Sequence, residues 1–259
     1  MVTGASSGLG AEFARQLAPE CEAMILVARR GDLLKQLASE LDLSSPGTEV
    51  HCVPTDLTHV GDREGLFKML EAMAFTPDLL VNNAGMGDYG EFSSSSWRKV
   101  DSMMQVNMVA LTHLTHGFLP GMIAGGGGDI LNVSSLASIL PIPDFAVYAA
   151  TKAYVTSFSE ALRIELRSHG INVLALCPGP VHTAFGSVAQ RGGHANVTPG
   201  GEMVYVSSEQ VVAEGISALQ RGKARHYPGL KVAVAAAAIG LLPIAALRLI
   251  MGRRPRKGL

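Results

Sequence analysis

The chain has 259 residues, 47% of them hydrophobic, which is enough apolar material for one large α/β domain and leaves little over for a second. Its 21 basic and 22 acidic residues nearly cancel, so no global field draws a polyanion, and nucleic-acid binding is excluded except through a local patch. The visible patch, "GRRPRKG" (252–258), is short and carries no aromatic side chain.

In chain order, Met1 and Val2 form a strand fragment ahead of "TGASSGLG" (3–10), and "AEFARQLAPE" (11–20) reads as a helix. Two apolar residues are few for a first strand, so a segment upstream of Met1 is expected. No charged and apolar leader of the secretory kind opens the sequence. Compact apolar runs at 23–29, 48–56, 78–85, 128–135 and 171–179 alternate with amphipathic stretches at 30–41 and 63–74 and longer ones at 97–123 and 147–170. That alternation predicts βαβ units and a parallel sheet. The loop at 187–203 is rich in Gly and small polar residues, and a loop of that length tends to be functional. Cys21, Cys52 and Cys177 show no CxxC spacing, which suggests free thiols and a reducing compartment. A cytoplasmic location is therefore expected.

The last segment sets a boundary. Residues 1–230 read as the main domain, and 231–259 as a hydrophobic helical extension with a basic tail. "VAVAAAAIGLLPIAAL" (232–247) is too short for the ~20 residues of a membrane span, and Pro243 interrupts it. Packing over the domain or a partner subunit is the leading expectation. Peripheral membrane contact through 232–257 is the alternative, aided by the basic tail.

The glycine loop carries the first chemistry. Gly4 permits a tight turn, Gly8 a close backbone approach to a pyrophosphate, and Gly10 close packing of helix on strand. At the end of the second strand, "LVARR" places Arg29 and Arg30 where an acidic residue would select a ribose 2′-hydroxyl. A guanidinium there can instead pair with the 2′-phosphate of NADP(H), with NAD(H) the alternative. Further on, "VYAATKA" (147–153) puts Tyr148 and Lys152 one helical turn apart on a shared face. A cation within about 4–6 Å of a phenol favours phenolate. His182 reads as a loop residue. His113 and His116 have i, i+3 spacing but no evident carboxylate partner, so no metal is expected.

Taken together, "TGASSGLG", "TDL" (55–57), "NNAG" (82–85), Asn107, "NVSS" (132–135), "YAATK" (148–152) and "PGPVHT" (178–183) resemble the classical short-chain dehydrogenase/reductase (SDR) family, in its order and spacing across almost the whole chain. The resemblance implies a Rossmann-type, doubly wound sheet of about seven parallel strands with helices on both faces. It implies that Gly4, Ser6, Ser7, Gly8 and Leu9 hold the cofactor phosphates and adenosine ribose, that Asp56 and Leu57 contact adenine, and that Asn83 and Ala84 border the adjoining ribose region. Pro178, Gly179, Val181 and Thr183 would border the nicotinamide. Asn107, Ser135, Tyr148 and Lys152 would be catalytic, with Ser135 preferred to Ser134 for its spacing of thirteen residues before Tyr148. Lys152 would also bind the nicotinamide ribose, and Asn107 would hold a water joining Lys152 to solvent.

The implied activity is an NADP-dependent carbonyl reductase or alcohol dehydrogenase. A lipophilic substrate is expected from the mostly apolar wall of Met86, Gly87, Leu136, Ile142, Val181 and the 187–203 loop. The alternative is a catalytically idle cofactor-binding or scaffold protein. A homodimer or homotetramer is expected by the same resemblance.

Overall fold

The computed structural model describes residues 1–191 and 205–253. Seven strands, β1 (Val2–Thr3), β2 (Ala23–Ala28), β3 (Glu49–Pro54), β4 (Leu79–Asn82), β5 (Gly128–Val133), β6 (Ile171–Leu176) and β7 (Arg225–His226), form one sheet in the order β3-β2-β1-β4-β5-β6-β7, with every neighbouring pair parallel. The runs read as strands are apolar without alternation because both faces of a parallel sheet are covered. Strand β7 is only two residues long and has no hydrophobic run to announce it.

The helices are α1 (Gly8–Leu17), α2 (Gly31–Ser44), α3 (Val60–Ala72), α4 (Trp97–Met104), α5 (Leu111–Ala124), α6 (Ala146–Leu166), α7 (Ala184–Ala189), α8 (Ser208–Gln220), α9 (Leu230–Gly240) and α10 (Ile244–Gly252). They cover the sheet on both sides. Phe13 and Leu17 of α1, Leu34 and Leu41 of α2 and Val211 of α8 pack with Leu26, Val81 and Leu174 on one side. Leu66 and Leu70 of α3, Leu114 and Phe118 of α5 and Leu162 of α6 pack with Ile25, Leu80 and Val173 on the other.

Two features depart from the sequence pattern. Residues 97–123 do not form one plain helix: α4 and α5 are joined by a π-helical segment, Gln105–Ala110. The loop read at 187–203 begins within α7, and 192–203 lie outside the described residues.

Strand β1 is short but central. Val2 pairs with Leu26 on one side and Val81 on the other, and the Met1 amine donates to the Leu79 carbonyl at 2.7 Å. The strand order reverses between β1 and β4, and α/β sheets bind ligands at the carboxyl ends of the strands beside such a switch.

At the far end of the chain α9 and α10 meet at a 116° bend next to Pro243. Val232 and Ala236 are buried, Val232 within the core cluster that α1 and α8 share, while Leu230, Val234, Leu241, Leu249 and Ile250 face outward. Among the described residues no single helix is long and apolar enough to cross a membrane; the bent pair passes the length and composition test only jointly.

Candidate active site

The glycine loop runs from β1 into α1. Gly4 and Gly8 have φ of +66° and +55°, a region that costs an L side chain strain, and Ser7 leaves the first turn of α1 without a side-chain cap. A methyl group at Gly10 would lie 2.2 Å from the Gly4 carbonyl oxygen, so helix and loop touch backbone to backbone. The loop is held from β4. Thr3 Oγ1 accepts from the amides of Asn83 and Ala84, both at 3.0 Å, and Asn83 Nδ2 donates to the Thr3 carbonyl at 2.9 Å. Asn83 thus turns its side chain to the loop backbone. Thr3 was not singled out from the sequence, although it opens the same motif.

The two arginines after β2 separate. Arg30 donates to Ser6 Oγ at 3.1 Å and Ser7 Oγ at 2.8 Å, so its fork lies on the glycine loop. Arg29 lies in the field of Asp56. Burial opposes ionisation of that carboxyl, but hydrogen bonds from Thr58 and the charge of Arg29 bring it below its usual range. The carbonyl of Leu57, next along, accepts from the buried Arg63 at 2.6 Å, whose Nε also donates to His113 Nδ1. That contact gives His113 a structural partner; His182 stacks on Tyr205 at 3.9 Å between ring centroids.

Across the switch point stand the groups from β5, α5 and α6. Ser135 ends an extended stretch as the cap of the short 3-10 turn Leu136–Ile139, accepting from the Ala137 amide at 3.1 Å, and its hydroxyl lies near enough to the Tyr148 phenol to favour the phenolate. Ser134 points the other way: its hydroxyl donates to the Lys152 carbonyl at 2.9 Å and shares a 2.7 Å bond with Thr156, both buried. Backbone alternation therefore turns the two neighbouring hydroxyls to opposite sides.

Lys152 Nζ donates to the Val133 carbonyl at 2.7 Å and lies 5.7 Å from the centre of the Tyr148 ring. The expected acidification of the phenol by this lysine is not what the geometry gives. Burial pushes Tyr148 up to about 12 against a partial offset from the nearby Ser135 hydroxyl, and burial likewise pulls Lys152 down to about 8. Neither group's shift is driven by the other; both are governed by desolvation.

Asn107, on the π segment, braces the floor. Its Oδ1 accepts from the Met86 amide at 2.9 Å, and its Nδ2 donates to the Met86 carbonyl and to Thr151 Oγ1, each at 3.0 Å. A carbonyl oxygen has a second lone pair. Asn107 Oδ1 and Lys152 Nζ stand 3.3 and 3.5 Å from the point where Gly85 lacks a Cβ, so both face that spot.

The remaining wall is aromatic. Phe145 stacks on Tyr148 at 4.2 Å between ring centroids, and Phe185 of α7 lies at 5.4 Å. Met86, Ile142 and Met251 of α10 join the same cluster, whereas Leu136 and Val181 pack toward the core under α1 and α8. On the other flank, the Pro178 carbonyl accepts from Leu136, and Val181 bridges to Val206. Thr183 caps α7 and faces Gly8, with 3.3 Å between its Cβ and a methyl built there.

A glycine loop at the switch point thus faces a Ser–Tyr–Lys–Asn array on the next strands and helices, and the chain as a whole is similar to known proteins. The family model for short chain dehydrogenase matches residues 1–192. The chain belongs to the short-chain dehydrogenase family. Ketoacyl reductase HetN of a Nostoc species is 33% identical over 181 residues, and the very-long-chain 3-oxoacyl-CoA reductase of Anas platyrhynchos is 32% identical over 196. These matches cover 70% and 73% of this chain and 62% of each relative. Among solved structures, a short-chain dehydrogenase from Sphingobium yanoikuyae in complex with NADPH superposes with a TM-score of 0.81 at 29% identity, covering 100% of this chain and 96% of that one. The family fixes the Rossmann-type fold, and the chain spans about three fifths of the length of the two reductase relatives.

Proposed function

We propose that the protein is an NADP(H)-dependent reductase or dehydrogenase acting on a lipophilic carbonyl or alcohol. The observation that carries this reading is the buried pair Tyr148 and Lys152 with the Ser135 hydroxyl beside the phenol, facing the glycine loop across the switch point. A protein that only binds a nucleotide has no use for a desolvated phenol and ammonium in that place.

The residues present fit a nicotinamide dinucleotide. Gly4, Gly8 and Leu9, with the open first turn of α1, offer backbone amides to phosphates, and Ser6, Ser7 and Arg30 offer donors to a 2′-phosphate. Asp56 and Leu57 border the adenine side, Asn83 and Ala84 the ribose side, and Pro178, Gly179, Val181 and Thr183 the nicotinamide side. The cofactor, when bound, supplies or accepts the hydride. This chain's residues handle the proton. Tyr148 gives it to the substrate oxygen or takes it back, and Ser135 holds that oxygen and steadies its developing charge. Lys152 and Asn107, facing one spot at Gly85, replenish the proton at Tyr148.

NADPH rather than NADH is favoured by Arg30 on the loop, by the lack of an acidic residue there, and by the NADPH complex of the Sphingobium protein. A lipophilic ketone or acyl substrate is favoured by the wall of Phe145, Phe185, Met86 and Ile142, and by the two relatives named for ketoacyl and 3-oxoacyl-CoA reduction. The exposed Val109 on the π segment, Ile123 on α5 and Tyr154 and Ile164 on α6 suit packing against a second copy. The outward Leu241, Leu249 and Ile250, with Lys231, Arg248 and Arg253 beside them, suit the surface of an anionic bilayer; vesicle flotation with and without anionic lipid tests it.

The decisive experiment measures NADPH and NADH affinity by fluorescence, then NADPH oxidation with a carbonyl panel. Arg30→Glu should lower NADPH affinity at least ten-fold, from ~1.4 kcal/mol or more of lost charge-assisted bonding. Tyr148→Phe should abolish turnover while NADPH still binds. Equal rates for wild type and Tyr148→Phe would sink the catalytic reading.

A further inference from the structure

The described residues hold one densely connected ion cluster that the chemistry above does not use. We propose that Asp88 and Arg191 are positioning residues that set the width of the substrate pocket, by holding α7 so that Phe185 lies against Tyr148. The proposal rests on the assignment of Tyr148 as the acid/base.

Asp88 stands three residues beyond Gly85, with its side chain 2% exposed. Arg191 Nε donates to Asp88 Oδ1 at 2.8 Å and its Nη2 to Oδ2, and Lys99 Nζ reaches Oδ1 at 3.0 Å. The rest of the guanidinium is equally committed. Nη1 donates to the Glu91 carbonyl at 2.8 Å and Ser94 Oγ at 2.9 Å, and Nη2 to Ser95 Oγ. All five N–H donors of Arg191 thus go to one loop, residues 88–95. Main chain reinforces the joint, because the Tyr89 amide donates to the Ala189 carbonyl at 2.8 Å.

Arg191 follows α7 by two residues. A six-residue helix has no stability of its own, and its start is fixed by the Thr183 cap. Its end is fixed by Arg191. Between those two points sits Phe185, and the surface opposite it is bare: a methyl at Gly87 would meet Phe185 Cζ at 2.9 Å and Phe145 Cε2 at 3.3 Å. The loop that carries Asp88 therefore also carries the gap into which Phe185 fits. Phe145 and Phe185 close that flank of Tyr148, so a carbonyl presented to the phenol meets a wall there. Freed of its anchor, α7 releases Phe185 and the flank opens to bulk. A lysine at 191 offers one point charge and cannot span the same five acceptors.

The test combines Arg191→Met, Phe185→Ala and their double variant, assayed with NADPH and ketones whose second substituent grows from methyl to phenyl. Each single variant should raise the bulky-to-small ratio of kcat/KM by about ten-fold or more, the scale on which an apolar pocket discriminates by size. NADPH affinity should stay within about two-fold. The double variant should do no more than either single, because both changes remove the same wall. Amide exchange on the ligand-free protein gives a reading that needs no turnover: Arg191→Met should speed exchange in 86–91 and 184–190 and leave 148–160 unchanged. Additive effects on the ratio, an unchanged ratio in an active enzyme, or unchanged exchange in α7 would overturn the proposal. A wild type that reduces no ketone would instead overturn the catalytic reading beneath it.

Discussion

Ser134→Ala and Ser135→Ala remove hydroxyls one residue apart, and the structure assigns them opposite consequences. Ser134 is 3% exposed and makes two buried bonds, to the Lys152 carbonyl and to Thr156. At about 0.5–1.5 kcal/mol net for each, its loss costs roughly 1–3 kcal/mol. For a chain of this size that is a fall in Tm of roughly 2–10 °C. Turnover per folded molecule should stay within a few-fold, because the Tyr148–Ser135 contact is untouched. Ser135 is half-buried and gives the fold one local bond, from the Ala137 amide, so its removal costs about 1 kcal/mol or less. Its removal should cut kcat by about 10²–10³, the usual loss for one donor at a developing oxyanion. Thermal melts followed by circular dichroism, with initial rates of NADPH oxidation, separate the two. A Ser134→Ala enzyme that is inactive with an unchanged Tm would refute the reasoning, as would a fully active Ser135→Ala enzyme.

Gly10→Ala should weaken NADPH binding at least ten-fold and lower stability by about 1–3 kcal/mol, because the new methyl meets backbone that cannot step aside; an unchanged fluorescence titration would contradict it. Lys152 supplies a pH signature in the ligand-free protein. Its folded value of about 8 lies below the ~10.5 of an unfolded lysine. Between those values the unfolded chain binds more protons, so the lysine's contribution to stability rises with pH, having been fully unfavourable below 8. Tyr148, raised to about 12, acts oppositely from about pH 10 upward. Urea unfolding at pH 7.5, 8.5 and 9.5 should show wild type gaining on Lys152→Met across that range; a constant difference would show that the ammonium is not buried.

The strands at 23–29 and 128–135 were legible because two-sided burial demands unbroken apolar runs, and the glycine loop because few residues other than glycine permit its backbone contacts. The choice of Ser135 over Ser134 came through spacing, while the opposite turn of the two hydroxyls, Ser134 toward Lys152 and Thr156, could be seen only in the fold. Other features needed the folded chain. The titration of Tyr148 depends on what covers it, and Phe145 and Phe185 are brought there by tertiary packing. Asp88 and Arg191 are 103 residues apart, a pairing that no local pattern expresses. Adjacent arginines look alike in sequence, yet only Arg30 reaches the loop hydroxyls. The π segment was hidden because its side chains keep the amphipathic character of a helix.

That π segment has a consequence for how this protein can change. A π turn amounts to one residue inserted into an α-helix, a poorer hydrogen-bond ladder kept where function asks for it. Deleting one residue between 105 and 110 would heal the ladder and leave α4 and α5 presenting their old faces to the sheet. The shortened chain would be easier to fold, and Asn107 would no longer meet Met86 and Thr151. A screen for stabilised variants would therefore favour chains that have lost this contact of Asn107.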